Sequence, residues 1–183
     1  IAVTLAIIFN FYGESEPLKS STLLIGFGIF TIYVTGLLDD LFGLSAHLKF
    51  FIQFIAALCF PLIGLTLNNL YGFCGIYEIP EIYSYPLTVF LVMLVVNSIN
   101  LIDGIDGLAS SLSLIAFIVF TWAFWTWGMH IFCLFTAAIS GSLIVFLWYN
   151  LFGDNTKGTK IFMGDSGSLM LGYALSYLGL KFC

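Results

Sequence analysis

The amino-acid sequence predicts an all-α, polytopic integral membrane protein: a helical bundle with five full transmembrane helices and a partial one at each end. The 183 residues are 61% hydrophobic and only 8% charged, whereas a soluble domain carries about 25% charged residues. Apolar runs close to the roughly 17–25 residues that cross a bilayer recur between short polar segments. These runs lack the strict alternation of membrane β-strands, so helices are expected.

Each apolar run is predicted to form one helix. The full segments cover residues 22–38, 50–67, 86–102, 112–127 and 131–149, and the partial segments cover residues 1–9 and 169–180. There is no internal repeat or soluble insertion, so residues 1–183 are interpreted as a single transmembrane domain. We expect it to be a fragment of a larger polytopic protein, because the first residue is not Met and both end segments are short. The four scattered cysteines indicate neither a disulfide framework nor a zinc site.

The connecting loops differ in the acids they carry. Alternating crossings place three of them on one side of the membrane, here named the aspartate face: residues 39–49, 103–111 and 150–168. All six aspartates lie on this face, and all four glutamates lie on the other. Three of the five lysines are also on the aspartate face. Because lysine-rich loops favour the cytoplasmic side, the aspartate face is predicted to be cytoplasmic.

The first acidic motif, "GLLDDLFGLSAHLK" at residues 36–49, ends a predicted helix with two aspartates. The helix macrodipole disfavours a carboxylate at this end by about 0.3–1 kcal/mol. A bound cation, or Lys49 nearby, would offset that repulsion for Asp39 and Asp40.

The second motif, "NSINLIDGIDGLA" at residues 97–109, repeats a polar side chain every three residues. Asn97, Asn100, Asp103 and Asp106 therefore share one broad side of a helix. Asp103 again lies at the helix end that disfavours a carboxylate. Asp106 has a second interpretation, because an aspartate before Gly-Leu-Ala could cap the following helix.

The third motif, "FMGDSGS" at residues 162–168, precedes a predicted helix. Asp165 could cap that helix, or the same N-terminus could bind a phosphate through free backbone N–H groups. Carboxylates without a His or Cys cluster indicate Mg²⁺ or Mn²⁺ rather than zinc or copper. The three motifs together therefore predict metal-assisted phosphate chemistry at a membrane surface. The alternative, an ion-coupled membrane transporter, requires carboxylates inside helices that face a pathway.

In this order, the three motifs resemble those of the polyprenyl-phosphate N-acetylhexosamine-1-phosphate transferases, which include phospho-N-acetylmuramoyl-pentapeptide transferase. The resemblance implies transfer of a sugar 1-phosphate from a UDP-N-acetylhexosamine to polyprenyl (undecaprenyl) phosphate, with release of UMP. It also implies Mg²⁺, or Mn²⁺, as cofactor and a multi-pass enzyme of the bacterial cytoplasmic membrane. The expected partners are the nucleotide sugar, the lipid phosphate and the membrane, without nucleic acid, and a homodimer is the oligomer to test for.

The resemblance further implies roles for individual residues. The catalytic set is Asp39, Asp40, Asp103 and Asp106, the substrate-binding set is Lys49, Asn97, Asn100 and Phe162, and the metal ligands are Asp165 and Asp40. One difference from the family is clear. A Pro-Ala step usually comes shortly before "FMGD", whereas this chain reads "WYNLFGDNTKGTKIFMGD".

Overall fold

The computed structural model describes residues 16–182, with side chains from residue 21 onward. This part of the chain is all-α, as predicted, apart from a short 3₁₀ turn and one isolated β-bridge in the loop between the second and third helices. The helices are α1 (Glu16–Phe42), α2 (Ala46–Leu62), α3 (Glu81–Ile102), α4 (Leu108–Thr126), α5 (His130–Phe152) and α6 (Gly164–Phe182). The predicted segment 1–9 lies outside the described residues.

Four of these helices are long and apolar enough to cross a membrane: α1 from Ser21 onward, α3, α4 and α5. They correspond to four of the five predicted full spans. The fifth prediction, residues 50–67, is α2, which has 17 residues and ends at Leu62. Gly64 ends it early: this residue adopts a left-handed conformation, and its N–H donates to Pro61 while that of Leu65 donates to Phe60. These two bonds form a Schellman cap.

Helix α6 lies at the centre of the bundle, where it contacts α1, α3 and α4. One apolar cluster joins α6 to the first three helices around Phe60 and Tyr173. A second cluster joins it to the α4–α5 pair around Phe117 and Phe124. Because α6 contributes to both clusters, its position is defined from two sides.

The seam between α1 and α6 depends on glycines. Gly28, Ile32, Gly36 and Asp40 recur every fourth residue and so share one face of α1. A Cβ atom on Gly28 would collide with the Tyr173 ring, and one on Gly36 would lie 2.6 Å from the backbone nitrogen of Ser166. Small residues of this kind let two membrane helices approach closely. The seam therefore brings the start of α6 against the last turns of α1.

The outer surfaces of the helices remain apolar. Only 17% of the apolar window of α5 is buried inside the bundle, and large side chains such as Trp122 and Trp148 are exposed. An apolar exterior of this extent is the surface expected to face lipid.

Candidate active site

The candidate site lies where the C-terminal ends of α1 and α3 meet the N-terminal ends of α2 and α6. Lys49, in the first turn of α2, joins two of these helices. Its ammonium group lies 2.7 Å from Asp39 Oδ2 and 2.8 Å from Asp165 Oδ2. The second oxygen of Asp39 accepts the backbone N–H of Leu44. Lys49 thus supplies positive charge that offsets the repulsion expected for Asp39 at the end of α1.

Asp165, in the first turn of α6, is also held by α3. Its Oδ1 accepts a hydrogen bond from the Asn100 amide at 3.0 Å, and the same amide donates to Ser168 Oγ at 2.9 Å. Residues that are 65 positions apart in the sequence therefore share one hydrogen-bond network. The structure brings Asn100, Lys49 and Asp165 together.

Asp103 follows directly after α3 and lies close to three other carboxylates. Burial, followed by repulsion from Asp165, Asp40 and Asp106, raises the pKa of Asp103 to about 6. A carboxyl group with a raised pKa among other carboxylates indicates a region of negative potential. Such a region attracts a cation.

The Asp40 carboxylate points at the start of α6. Its Oδ1 accepts the backbone N–H of Asp165 at 2.8 Å, and its Oδ2 accepts that of Ser166 at 3.1 Å. Both oxygens of Asp40 are therefore engaged with the main chain.

Asp106 forms an ion pair with Lys160 rather than capping α4. The Lys160 ammonium lies 2.5 Å from Asp106 Oδ2 and 5.4 Å from the centroid of the Phe162 ring. Helix α4 begins after Gly107, and no side chain caps it. The capping interpretation of Asp106 was therefore wrong. Phe162 is 68% exposed, so one face of its ring is available to another planar group.

Asn150 was not among the site residues predicted from the sequence. It is buried, its Oδ1 accepts the N–H of Gly107 at 2.7 Å, and its amide donates to the carbonyl of Ile161 at 2.8 Å. It thereby joins the second motif to the loop that carries Phe162. The available signal was the isolated amide in an otherwise apolar segment, "LIVFLWYNLF".

Asn97 lies one helical turn away from this network. Its amide donates to Gln53 Oε1 at 2.7 Å and to the Met93 carbonyl, and its side chain lines an apolar groove between α2 and α3. Its predicted substrate contact stays a prediction. The buried Gln53 was also missed, although its position four residues after Lys49 places it on the same face of α2.

The donors of the site fit Mg²⁺ in type. Among residues 16–182, no three His, Cys, Asp or Glu side chains are arranged to hold a metal ion by themselves. Mg²⁺ does not need such a set, because it commonly takes one or two carboxylates and completes its shell with water and substrate phosphates. Asp165 and Asp103 are the better candidates for this role: the Asp165 oxygens accept side-chain donors, which can move aside for a metal ion, whereas the Asp40 oxygens accept main-chain N–H groups.

Fold and site together define a multi-pass helical membrane protein with a carboxylate and lysine cluster at one end of its helices. Residues 22–182 match the sequence model of Glycosyl transferase family 4. The chain belongs to this family.

The chain is also similar to individual transferases of known name. A "Probable undecaprenyl-phosphate N-acetylglucosaminyl 1-phosphate transferase" of Bacillus subtilis is 34% identical over 185 aligned positions, covering 98% of this chain and 49% of the relative. A Phospho-N-acetylmuramoyl-pentapeptide-transferase of Campylobacter lari is 43% identical over 53 positions, covering 29% of this chain and 14% of the relative. One of the same name from Micrococcus luteus is 54% identical over 43 positions, covering 24% and 10%. The chain thus spans about half the length of the Bacillus subtilis relative.

Proposed function

We propose that the protein transfers an N-acetylhexosamine 1-phosphate from a UDP-sugar to polyprenyl phosphate, releasing UMP, and so initiates synthesis of a cell-envelope polysaccharide. One observation carries the proposal: three acidic motifs that are far apart in the sequence converge around Lys49 and Asp165 at one end of a membrane bundle. The name of the Bacillus subtilis relative supports N-acetylglucosamine as the sugar and undecaprenyl phosphate as the acceptor.

The reaction requires little covalent work from the protein. Two anionic phosphate groups must be held close together and in line, and their charge must be neutralised. Bound at Asp165 and Asp103, Mg²⁺ would neutralise the pyrophosphate and polarise its oxygens. Lys49 and Lys160 add positive charge on either side of these carboxylates.

Other side chains have roles in orientation. The exposed Phe162 ring offers a stacking surface for the uracil base, and the adjacent Lys160 ammonium can reach a phosphate or ribose oxygen. Asn100 holds the Asp165 side chain from α3. Asp39 is the candidate base for the lipid phosphate, and its contact with Lys49 holds it beside the positive charge that would bind that phosphate.

We place the site on the cytoplasmic side of the bacterial inner membrane. Lys49, Lys157 and Lys160 lie at this end of the bundle, in agreement with the positive-inside rule. UDP-sugars are cytoplasmic metabolites, so the same orientation gives the donor access.

The transporter alternative has less support. Within residues 16–182, every carboxylate that belongs to a helix lies in its first or last turn, where Asp40 and Asp165 are typical. An ion-coupling residue is expected nearer the middle of the membrane.

The decisive experiment measures UMP release by the protein expressed with all of its native flanking sequence. The purified enzyme is incubated with UDP-GlcNAc, undecaprenyl phosphate and Mg²⁺, in parallel with the variant Asp165→Asn. Release by the wild type and loss of at least about a hundredfold in the variant are expected, as for removal of a key electrostatic group. Absence of release with any UDP-N-acetylhexosamine, or full activity of the variant, would contradict the proposal.

A further inference from the structure

The start of α6 obtains its cap from a distant part of the chain. The residues directly before Gly164 are Ile161, Phe162 and Met163, none of which has a side chain that can accept a backbone N–H. The first N–H groups of a helix have no partner within the helix. At α6, two of them donate to Asp40, a residue 125 positions earlier.

The backbone around this contact is shaped to receive the Asp40 carboxylate. Gly164 has φ +68°, and a Cβ atom there would lie 2.9 Å from Asp40 Oδ2. One turn before Asp40, a Cβ atom on Gly36 would lie 2.6 Å from the Ser166 nitrogen. Two glycines from different helices thus leave space for one hydrogen-bonded contact.

The same contact determines where Asp165 lies. Its backbone N–H is held by Asp40 from α1, and its carboxylate is held by Asn100 from α3 and Lys49 from α2. Any displacement of the first turn of α6 would move this carboxylate relative to both partners. An error of about 1 Å is enough to lower a rate about a hundredfold.

We propose that Asp40 is a positioning residue: its carboxylate caps α6 and so fixes Asp165, while Gly36 allows the approach that makes the cap possible. The two adjacent aspartates of the first motif then have different tasks, Asp39 toward Lys49 and Asp40 toward the main chain of α6. The importance of Asp40 for catalysis rests on the proposed transferase function, but the capping contact itself does not.

The cap is tested first on the metal-free protein, where neither a metal-ligand role nor activity contributes. Hydrogen exchange followed by mass spectrometry reports on the amides at the start of α6. In Asp40→Ala, exchange in peptides covering residues 164–168 is expected to accelerate about fivefold, as for loss of a helix cap. Asp40→Asn keeps one oxygen acceptor and should show a smaller increase. Unchanged exchange in both variants would overturn the proposal.

Metal affinity and turnover separate positioning from ligation. Mn²⁺ binding, followed by electron paramagnetic resonance, should weaken about tenfold in Asp40→Asn and in Gly36→Ala alike, because both changes displace Asp165, and should weaken further in Asp165→Asn. Gly36→Ala removes no carboxylate from the protein, yet it should lower kcat as Asp40→Asn does. The control Gly179→Ala, whose new Cβ has no neighbour within 4 Å, should leave kcat unchanged.

Loss of Mn²⁺ affinity in Asp40→Asn together with wild-type affinity in Gly36→Ala would identify Asp40 as a ligand and refute the positioning role. Failure of the transferase proposal gives a different result. In that case the wild type releases no UMP, while the exchange and Mn²⁺ measurements still distinguish a cap from a ligand.

Discussion

Replacing Asp103 with asparagine should stabilise the metal-free protein while abolishing transfer. The Asp103 carboxyl is partly buried and faces Asp165, Asp40 and Asp106, and these conditions raise its pKa to about 6. In an unfolded chain the pKa of aspartate is about 3.9. Folding therefore disfavours the charged form of Asp103. An amide of nearly the same size removes the repulsion.

The size of this stabilisation follows from the pKa difference. A pKa difference of about 2 corresponds to roughly 3 kcal/mol of unfolding free energy. Water around the partly exposed carboxyl group reduces this to about 1–2 kcal/mol. Below about pH 4, Asp103 is protonated in both the folded and the unfolded state, so the variant gains nothing. The gain should grow as the pH rises from about 4 to about 6 and stay constant above that.

The assay is unfolding of the purified protein in detergent with a chelator, across this pH range. The control is Asp154→Asn, which removes the same charge from an aspartate that is 42% exposed, forms an ion pair with the exposed Lys157 and accepts two hydrogen bonds from Thr156. That change should give no gain in stability, because the hydrogen bonds from Thr156 lower the pKa of Asp154 instead of raising it. A metal-free Asp103→Asn protein that is less stable than wild type above about pH 6 would refute the reasoning.

Three further predictions concern single side chains. Lys160→Met should raise KM for the UDP-sugar about tenfold in steady-state UMP release, because its ammonium contacts both Asp106 and Phe162. An equal effect of Lys157→Met, in the same loop, would mean that any positive charge in the loop serves and that the contacts of Lys160 do not matter. Lys49→Met should tighten Mn²⁺ binding severalfold, because its ammonium repels a cation at the site, while kcat falls; weaker Mn²⁺ binding would contradict this. Thr136→Val removes a hydroxyl bonded to Thr121 across α4 and α5 and should lower Tm by about 2 °C without changing UMP release; an unchanged Tm would mean that this bond adds no stability.

The helical bundle was predictable because bilayer thickness leaves few solutions for long apolar runs. The end of α2 was not predicted, since residues 50–67 are apolar throughout the region where Gly64 turns the chain. A single glycine decided the boundary through a local cap, and hydropathy does not register such a feature. The start of α6 at Gly164, five residues before the predicted apolar segment begins, has a different cause, because its cap comes from the distant Asp40.

The sequence indicated which motifs lie together at one end of the bundle. It did not indicate which side chains within them form hydrogen bonds or ion pairs. The sequence showed that Asp39 and Asp103 lie at helix ends that disfavour a carboxylate. In the structure Lys49 offsets this for Asp39, whereas Asp103 is partly buried among other carboxylates and its pKa is raised. Partner choice was not visible, because it depends on contacts between distant segments. Asp106 had a local option as a cap, yet Lys160, 54 residues away, engages it instead.

The central position of α6 also sets an order of events during biosynthesis. Of the described helices, α6 is translated last, yet it carries Asp165 and contributes to both apolar clusters. Until it inserts, the Lys49 ammonium and the Asn100 amide lack the Asp165 carboxylate that they share. A nascent bundle that lacks α6 therefore leaves both apolar clusters incomplete. Insertion of this one helix both completes the two clusters and assembles the site.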